Sequence, residues 1–302
     1  MSEVRNLQSM LEPALAEAAA FTERSLDALL PTPNGPEARL LEAMRYAALG
    51  GGKRLRAFLV QQTGRIFGVD RRPLGRVAAA VECVHAYSLV HDDLPAMDDD
   101  ELRRGKPTVH KAFDEATAIL AGDALLTLAF GLLGEPDTHG DPFVRCELVT
   151  RLAHAAGHGG MVGGQMMDIA FERAAPGLPE ITRLQRMKTA ALIMFSCESG
   201  AILGRASAAA RNALSAYGQD LGLAFQIVDD LLDAEGDPAR MGKAAGKDAS
   251  RGKPTVVSIL GTERARAQAE ALAAQAAGHL DLFDERADLL RAAADFVVSR
   301  RA

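Results

Sequence analysis

Two short segments of this chain concentrate carboxylates at spacings that can bind cations. The first, LVHDDLPAMDDDELRRGKPT, begins at Leu89 and contains Asp92, Asp93, Asp98, Asp99, Asp100 and Glu101. At an effective dielectric constant of about 20, two like charges about 4 Å apart repel by roughly 4 kcal/mol, so such a cluster spreads, becomes protonated or recruits cations. We therefore expect positive charge at this segment.

The second segment, FQIVDDLLD, places Asp229, Asp230 and Asp233 inside a strongly apolar stretch. At about 3.6 residues per turn, Asp229 and Asp233 lie one helical turn apart. Gln226 lies one turn before Asp229 or Asp230 on nearly the same stripe. One helix face therefore presents a column of oxygen ligands, and a solvated surface explains Asp229 and Asp233 poorly because they interrupt an apolar helix.

The spacing of the first segment requires a break in the helix. Asp92 and Asp98 are six positions apart, which puts them on different faces of a straight helix. Pro95 disfavours helical geometry at the preceding residue, so we expect the helix to end or bend there and Asp98 to face Asp92. Oxygen ligands without histidine or cysteine suit Mg²⁺, which keeps several waters and is completed by substrate phosphates.

The other acids of the first segment, Asp99, Asp100 and Glu101, are predicted to be solvated positions or helix caps. Basic residues recur beside the acidic segments and beside glycine turns. They are Lys53 and Arg56 in GGKRLR, Arg103 and Arg104 after the first segment, Lys188 in RMKTAA, and Lys243, Lys247 and Lys253 in GKAAGKDASRGK. Arginine suits bidentate phosphate contacts and lysine acts as a point charge, so the pattern predicts bound diphosphates.

Composition argues against several other classes of protein. The 302 residues carry a net charge of -6 without long basic tracts, which disfavours nucleic acid as a partner. Cys83, Cys146 and Cys197 show no C-x-x-C spacing and indicate neither a disulfide framework nor a zinc site. The N-terminus lacks the apolar run of a signal peptide and no uncharged stretch is long enough to span a bilayer. We therefore expect a cytoplasmic protein without stable membrane insertion.

Apolar residues recur at helical spacing along most of the chain, as in VAAAVECVHAYSLVH and LGLAFQIVDDLLD, whereas alternating β-branched runs are scarce. This pattern predicts an all-α protein. Breaks begin at Pro31, Gly134, Arg173 and Gly236, but none is long or polar enough to mark a domain linker. We expect residues 1–302 to form one large helical domain.

Two weaker patterns are set aside. His154 and His158 have the spacing of a zinc pair but lack the glutamate that follows the first histidine in H-E-x-x-H. The glycines of GHGGMVGGQMMD follow no strand and precede no G-K-[ST], so they do not indicate a phosphate loop. We interpret them as a site of close helix packing or a kink, with Gln165 and Asp168 turned toward the site.

Both aspartate segments, together with GGKRLR, KT and the position of Gln226, are similar to the trans-isoprenyl diphosphate synthase (polyprenyl synthetase) family. The resemblance runs from about GGKRLR to GKPTVV, which is most of the chain. The long spacing of DDLPAMD after AYSLVH most resembles the bacterial members that make the C15 product, farnesyl diphosphate. It implies a single helical bundle around a central active-site cavity and a homodimer. One departure is visible, because Ala57 stands where the family usually has proline.

The resemblance implies a role for each matching residue. Asp92 and Asp98 would hold two Mg²⁺ and Asp229 a third, with Asp93, Asp230 and Asp233 in support directly or through water. Arg103, Lys188 and Lys243 would grip the allylic diphosphate, and Lys53, Arg56, His85 and Arg104, beside Gly52, would hold isopentenyl diphosphate. Thr189 and Gln226, with the carbonyl of Lys188, would face the developing carbocation. Lys247, Asp248 and Lys253 would belong to a tail that closes on the site.

Product length would be set along the helix that ends in the first aspartate segment. Tyr87 lies five positions before Asp92, which is about 7.5 Å along a helix that rises about 1.5 Å per residue. Tyr87, with the neighbouring Ser88, is the candidate floor of the chain pocket. An aromatic residue there resembles short-chain enzymes, so we expect a C15 product. In the alternative interpretation, Tyr87 merely packs against a neighbouring helix.

The implied reaction ionises dimethylallyl or geranyl diphosphate with the help of Mg²⁺. The double bond of isopentenyl diphosphate then attacks the carbocation, and the departing diphosphate accepts the proton that is lost. A synthase of the C20 product is the first alternative. A class I terpene cyclase is disfavoured because it needs no second diphosphate site and usually has Asn, Ser or Thr where this chain has DDLLD. A non-catalytic partner subunit is disfavoured because such subunits typically lose one or both aspartate motifs.

Overall fold

We describe the protein from a computed structural model that covers residues 2–172, 174–235 and 254–299. Its helices are α1 (Ser2–Leu29), α2 (Ala38–Ala48), α3 (Leu55–Ile66), α4 (Arg71–Asp92), α5 (Val109–Ala112), α6 (Glu115–Gly134), α7 (Pro142–Ala156), α8 (Met161–Phe171), α9 (Leu178–Gln185), α10 (Ala191–Leu203), α11 (Ala208–Glu235), α12 (Val256–Leu260), α13 (Thr262–Gly278) and α14 (Asp288–Ser299). A π-helical turn (Arg186–Ala190) joins α9 to α10, and a 3₁₀ turn (Glu285–Ala287) precedes α14.

Strands β1 (Leu102–Arg103) and β2 (Lys106–Pro107) pair antiparallel, with Arg103 opposite Lys106. They form the one hairpin within the described residues, so the predicted all-α class is confirmed. The break that begins at Pro31 separates α1 from α2, and that at Gly134 separates α6 from α7. Residues 236–253 lie outside the described part of the chain, and with them Lys243, Lys247, Asp248 and Lys253.

The chain divides into two compact units. The N-terminal unit contains residues 13–61 and 70–149, and the C-terminal unit contains residues 1–12, 62–69 and 150–302. Each unit carries one of the two aspartate segments. That residues 1–302 act as one domain stays a prediction.

Helix α4 is the core of the N-terminal unit, because each of its own residues from Leu74 to Val84 is buried and most of them are small and apolar. It packs against α6, where the ring of His91 lies over Gly122. A β-carbon on Gly122 would lie 2.1 Å from Nε2 of His91, and that nitrogen lies 3.0 Å from the carbonyl oxygen of Ile119. The absence of a side chain at Gly122 therefore makes room for the end of α4.

Helices α10 and α11 pack backbone against backbone in the C-terminal unit. A β-carbon on Gly222 would lie 2.6 Å from Cα of Ala190, and one on Gly218 would lie 2.8 Å from Cα of Met194. Likewise, a β-carbon on Gly164 of α8 would lie 2.3 Å from the backbone nitrogen of Lys188. The interpretation of the GHGGMVGGQMMD glycines as a site of close helix packing is thus confirmed.

Helix α6 is long and apolar enough, by length and composition, to cross a membrane. Its 20 residues include a window of mean hydropathy 1.9, of which 44% is buried. The core helix of a globular protein passes the same test, and α6 packs its buried residues against α4. We therefore interpret α6 as a core helix of the N-terminal unit.

The space that Gly122 leaves for the ring of His91 predicts that alanine has different effects on stability at two glycines of α6. Gly122→Ala is expected to lower the free energy of unfolding by about 1–3 kcal/mol, because the new methyl group displaces the packed ring of His91. Gly131 has nothing within 4 Å of its would-be β-carbon, so Gly131→Ala is expected to be neutral or to stabilise by up to about 1 kcal/mol. Urea unfolding followed by circular dichroism measures both free energies of unfolding, and equal effects of the two substitutions would contradict the close packing of His91 against Gly122.

Candidate active site

The turn after α4 brings Asp98 back beside Asp92. Helix α4 ends at Asp92, and the backbone N–H of Asp98 donates to the carbonyl of Asp92 at 2.8 Å. Asp99 adopts a positive φ of 48° in the same turn. The predicted end of the helix near Pro95 and the return of the chain are therefore confirmed. Both Asp92 and Asp98 are partly exposed, so their carboxylates remain accessible to a ligand.

Arg103 anchors the inner side of this turn. Its Nε donates to both carboxylate oxygens of Asp93 at 2.9 Å, and its Nη2 lies 3.7 Å from the carboxylate of Asp100. Asp93 is 3% and Asp100 7% exposed. The expectation of a solvated position is therefore wrong for Asp100, because the ion pair with Arg103 compensates its burial. It holds for Asp99 and Glu101, which are exposed, and Glu101 pairs with Lys111 at 2.9 Å.

The GGKRLR segment is a glycine turn that leads into α3. Gly51 and Gly52 have φ values of 75° and 120°, which favour glycine. The guanidinium of Arg104 donates to the carbonyl of Gly51. A β-carbon on Gly52 would lie 2.6 Å from Cζ of that guanidinium. Gly52 thus provides the space in which Arg104 lies, which places the second arginine of the LRRG sequence against the turn.

Sequence reasoning missed the structural role of Arg54 in this turn. Arg54 is 6% exposed and forms ion pairs with Glu23 at 2.6 Å and Glu82 at 2.9 Å. Glu82 also accepts from the backbone N–H of Ala57 at 3.2 Å. A proline at position 57 has no such donor, so the departure from the family pattern is matched by a hydrogen bond. The lone charge of Glu82 within VAAAVECV was the signal that such a partner exists.

Around this turn, the predicted phosphate ligands differ in exposure. Lys53 is exposed and Arg56 is partly buried. Burial of the His85 ring, reinforced by the positive charges of Arg56 and Arg104, lowers the pKa of His85 well below its ordinary value of 6.5. His85 is therefore neutral near pH 7 and can donate one hydrogen bond without adding to the positive charge around it.

Tyr87 is held inside the N-terminal unit next to the first motif. It is 8% exposed, and its ring meets that of His91 edge to face, with centroids 5.3 Å apart. Burial, with the negative charges of Asp92 and Asp123, raises the pKa of Tyr87, so the phenol stays neutral. Ser88 is partly buried and donates to the carbonyl of His85 at 2.9 Å.

The C-terminal unit presents Lys188 and Thr189 from the π-helical turn. π-Helical turns inside α-helices frequently mark functional sites. Nζ of Lys188 lies 2.6 Å from the carboxylate of Asp168 on α8, and both side chains are mostly buried. Gln165, also on α8, has a buried Oε1 for which the described residues provide no hydrogen-bond donor. The structure thus brings Asp168 to Lys188. That both residues lie at the active site stays a prediction.

Opposite this turn in the same unit, α11 carries the second aspartate motif. The hydroxyl of Thr189 donates to Oε1 of Gln226 at 2.7 Å. Asp230 is 7% exposed and accepts from Nε2 of Gln226 and of Gln185, each at 2.9 Å. Asp229 is exposed and Asp233 is partly exposed. Gln185 was not singled out from the sequence, where nothing distinguishes it from a surface glutamine.

The donor sets of the two motifs fit Mg²⁺. Among the described residues, no group of three or more His, Cys, Asp or Glu side chains already surrounds an ion position. Mg²⁺ at phosphate sites takes one or two carboxylates and completes its shell with phosphates and water. The accessible carboxylates at Asp92, Asp98, Asp229 and Asp233 are donors of that kind.

The two histidines that have the spacing of a zinc pair, His154 and His158, are both exposed.

A family model described as polyprenyl synthetase matches residues 37–290. The chain belongs to the polyprenyl synthetase family. Farnesyl diphosphate synthase of Escherichia coli (strain K12) is 46% identical over 298 residues, which cover 96% of this chain and 97% of that protein. The match confirms the predicted family and the assignment of this polyprenyl synthetase as a prenyltransferase.

Solved structures of other isoprenyl synthases share the fold of this polyprenyl synthetase. An FPP/GFPP synthase from Zymomonas mobilis, in the apo state, is 51% identical with a TM-score of 0.85, covering 98% of this chain and 100% of that chain. A geranyltransferase from Helicobacter pylori, complexed with magnesium and isoprenyl diphosphate, is 32% identical with a TM-score of 0.81, covering 94% and 96%. Polyprenyl synthetases depend on Mg²⁺ in general and use isoprenyl diphosphates.

The lowered pKa of His85 predicts that its ring does not titrate near its ordinary value. In nuclear magnetic resonance spectra of the histidine ring protons, the signal of His85 is expected not to shift as the pH passes through 6.5. His85→Gln, which removes one signal, assigns it. Because the unfolded chain takes up this proton near pH 6.5 and the folded chain does not, His85 lowers stability as the pH falls below that value. A midpoint near 6.5 in the folded protein would contradict the buried neutral ring.

Proposed function

We propose that the protein is a farnesyl diphosphate synthase, which condenses isopentenyl diphosphate with dimethylallyl diphosphate and then with geranyl diphosphate. One observation carries this proposal: accessible carboxylates in both aspartate motifs coexist with a separate basic set around the Gly51–Gly52 turn. Carboxylates that bind Mg²⁺ suffice to ionise one diphosphate, whereas the basic set provides for a second. The similarity to the Escherichia coli enzyme supports the same conclusion.

Asp92, Asp98 and Asp229 would hold the metal, with three Mg²⁺ ions per active site. When bound, Mg²⁺ acts as a Lewis acid that neutralises the charge of the leaving diphosphate. Asp93 and Asp230 are buried and already accept hydrogen bonds from protein donors. Their burial supports an indirect, supporting role beside the more accessible Asp233.

The allylic diphosphate would be bound by Arg103 and Lys188, together with Lys243 outside the described residues. Asp93 fixes the guanidinium of Arg103, and Asp168 fixes the ammonium of Lys188. Cations that are held in place before the reaction stabilise negative charge as it develops on the leaving group, and no reorganisation is then needed. These two ion pairs therefore support a role in ionisation of the carbon–oxygen bond.

The isopentenyl diphosphate would be bound by Lys53, Arg56 and Arg104, with His85 as a neutral partner. Arg104 is positioned by the carbonyl of Gly51 and by the space over Gly52. A neutral His85 donates a hydrogen bond without repelling the neighbouring guanidinium groups. The arrangement supports a diphosphate site that is separate from the carboxylates that bind Mg²⁺.

The new carbon–carbon bond would form between the double bond of isopentenyl diphosphate and the allylic carbon that loses its diphosphate. Thr189 and Gln226 would direct oxygen atoms at the positive charge. The proton lost from the isopentenyl unit passes to the departing diphosphate, which carries new negative charge. Water must be kept out because it would capture the cation, and apolar helix residues serve that purpose.

We further propose that residues 1–302 act as a single domain in a cytoplasmic homodimer. The family match runs through residues of both units, which supports one functional domain. Ile119 and Leu120, adjacent on α6, are 45% and 56% exposed. Adjacent exposed apolar residues of this kind favour a surface that pairs with a second copy.

A C20 synthase is the main alternative. The Zymomonas mobilis relative, an FPP/GFPP synthase, supports products longer than C15 without favouring C20 in particular. A class I terpene cyclase or a non-catalytic partner subunit is less well supported, because the basic set and both aspartate motifs are present.

The first experiment incubates the purified protein with Mg²⁺, isopentenyl diphosphate and either dimethylallyl or geranyl diphosphate, and identifies products by mass spectrometry. A dominant C15 product is expected from either allylic substrate. A cyclic hydrocarbon formed without isopentenyl diphosphate would identify a cyclase, and no turnover with either substrate would favour a partner subunit.

Asp92→Ala tests the metal assignment against a matched control in the same turn. Loss of this carboxylate is expected to lower turnover by at least about 100-fold, as removal of transition-state charge stabilisation does. Exposed Asp99 in the same turn is not assigned to metal and has a positive φ of 48°, which asparagine tolerates. Asp99→Asn is therefore the matched control and is expected to retain turnover within about threefold. Near-normal turnover by Asp92→Ala would refute the metal site.

The proposed floor predicts the effect of Tyr87 on product length. Tyr87→Ala opens space beside α4 and is expected to shift the main product from C15 to C20 or longer. Tyr87→Phe keeps the ring and is expected to retain C15, which separates the volume of the side chain from its hydroxyl. An unchanged product in Tyr87→Ala would show that Tyr87 only packs against a neighbouring helix.

A further inference from the structure

The carboxylate of Asp230 lies inside the C-terminal unit, whereas that of Asp229 is exposed. Its Oδ1 accepts from Nε2 of Gln226 and its Oδ2 accepts from Nε2 of Gln185, each at 2.9 Å. A buried carboxylate is costly unless donors compensate it, so both amides stabilise this position. A carboxylate oxygen can accept more than one hydrogen bond, so these bonds are compatible with a water-mediated contact to metal.

The same contacts fix which way the amide of Gln226 points. An amide has a donating end and an accepting end, and the two differ little in shape. Asp230 binds the donating end of Gln226, while Oε1 at the other end accepts from Thr189 at 2.7 Å. A chain of three hydrogen bonds therefore runs from Gln185 through Asp230 and Gln226 to Thr189.

The direction of this amide matters for the proposed reaction. An oxygen aimed at developing positive charge stabilises it, whereas the amide nitrogen end carries partial positive charge and opposes it. The hydroxyl of Thr189 can donate or accept, so of these two partners only the carboxylate of Asp230 distinguishes the two ends of the Gln226 amide. The residue that holds Asp230 therefore acts on the cation indirectly.

Gln185 is placed to hold Asp230. It is 3% exposed and is the last residue of α9, immediately before the π-helical turn that carries Thr189. Backbone contacts on two sides confine that turn, because Gly164 of α8 and Gly222 of α11 leave no side chain between the helices. The side chain of Gln185 is thus fixed relative to both Thr189 and α11.

We propose that Gln185 is a positioning residue for prenyl transfer, which holds Asp230 so that the carbonyl of Gln226 faces Thr189 and the cationic carbon. This inference rests on the proposed function. It assigns to Gln185 an effect on the chemical step through Gln226, and not on the binding of metal or diphosphate.

The test compares Gln185→Met, which keeps the length of the side chain and removes the donor, with the wild-type protein. Turnover number is expected to fall about tenfold, which corresponds to about 1.4 kcal/mol in the barrier. The KM values for both substrates and the Mg²⁺ concentration at half-maximal rate are expected to change by less than about twofold. Calorimetric binding of Mg²⁺ with inorganic diphosphate is expected to be unchanged, which gives a readout independent of activity.

Coupling to Gln226 separates positioning from a general loss of structure. Gln185→Met added to Gln226→Met is expected to lower turnover no further than Gln226→Met alone, because the amide to be oriented is already gone. Gln185→His, which restores a neutral N–H donor, is expected to recover most of the turnover. If Gln185→Met does not fold, Gln185→Asn keeps a polar amide but shortens its reach, and it is expected to show the same loss and the same coupling.

Several outcomes overturn the proposal. Full turnover in Gln185→Met and Gln185→Asn, or losses that multiply independently with that of Gln226→Met, would show that Gln185 does not act through Gln226. A shifted Mg²⁺ requirement with unchanged turnover would instead assign Gln185 to the metal site. Failure of the wild-type protein to condense the two substrates would overturn the proposed function and this role with it, whereas the other outcomes leave the proposed function intact.

Discussion

Repulsion between adjacent carboxylates is the constraint on which this protein depends. Both aspartate motifs meet it in the same way, by burying the second acid of the pair and leaving the first accessible. Arg103 neutralises Asp93 in the N-terminal unit, and two glutamine amides bind Asp230 in the C-terminal unit. Because donors within the protein compensate the buried acid, the first acid of each pair can lie at the solvent-accessible surface. Two adjacent carboxylates in each motif thus have different environments, one buried against donors of the protein and one at the surface.

The parts of the site that local sequence determines were predicted well. Pro95 ends the helix and Asp98 returns to Asp92, because backbone restriction by proline acts on its neighbours alone. The burial of Asp100 was missed because it depends on the side chain of Arg103, which is also a candidate phosphate ligand. Arg54 was missed because its partner Glu82 lies 28 positions away in the chain. Pairings of this kind follow from tertiary packing, and no single stretch of sequence contains them.

Whole-chain similarity identifies the chemistry more securely than the product. The Escherichia coli farnesyl diphosphate synthase and the Zymomonas mobilis FPP/GFPP synthase are 46% and 51% identical to this chain. Similarity to both agrees with prenyl transfer as the shared chemistry, and it does not separate the product lengths that their names give. Under the proposal that Tyr87 is the floor of the chain pocket, one ring at the end of α4 bears on product length, which overall identity does not report.

The glycines around the π-helical turn have a consequence for how the enzyme can change. Gly164 and Gly222 place main chain against main chain at Lys188 and Ala190, so no side chain there can be trimmed. Any replacement of Gly164 or Gly222 adds atoms and disturbs the contact between the two backbones. The space available to a product can therefore change only at positions that have a bulky side chain to lose or room for one to gain, while the backbone around the π-helical turn stays as it is.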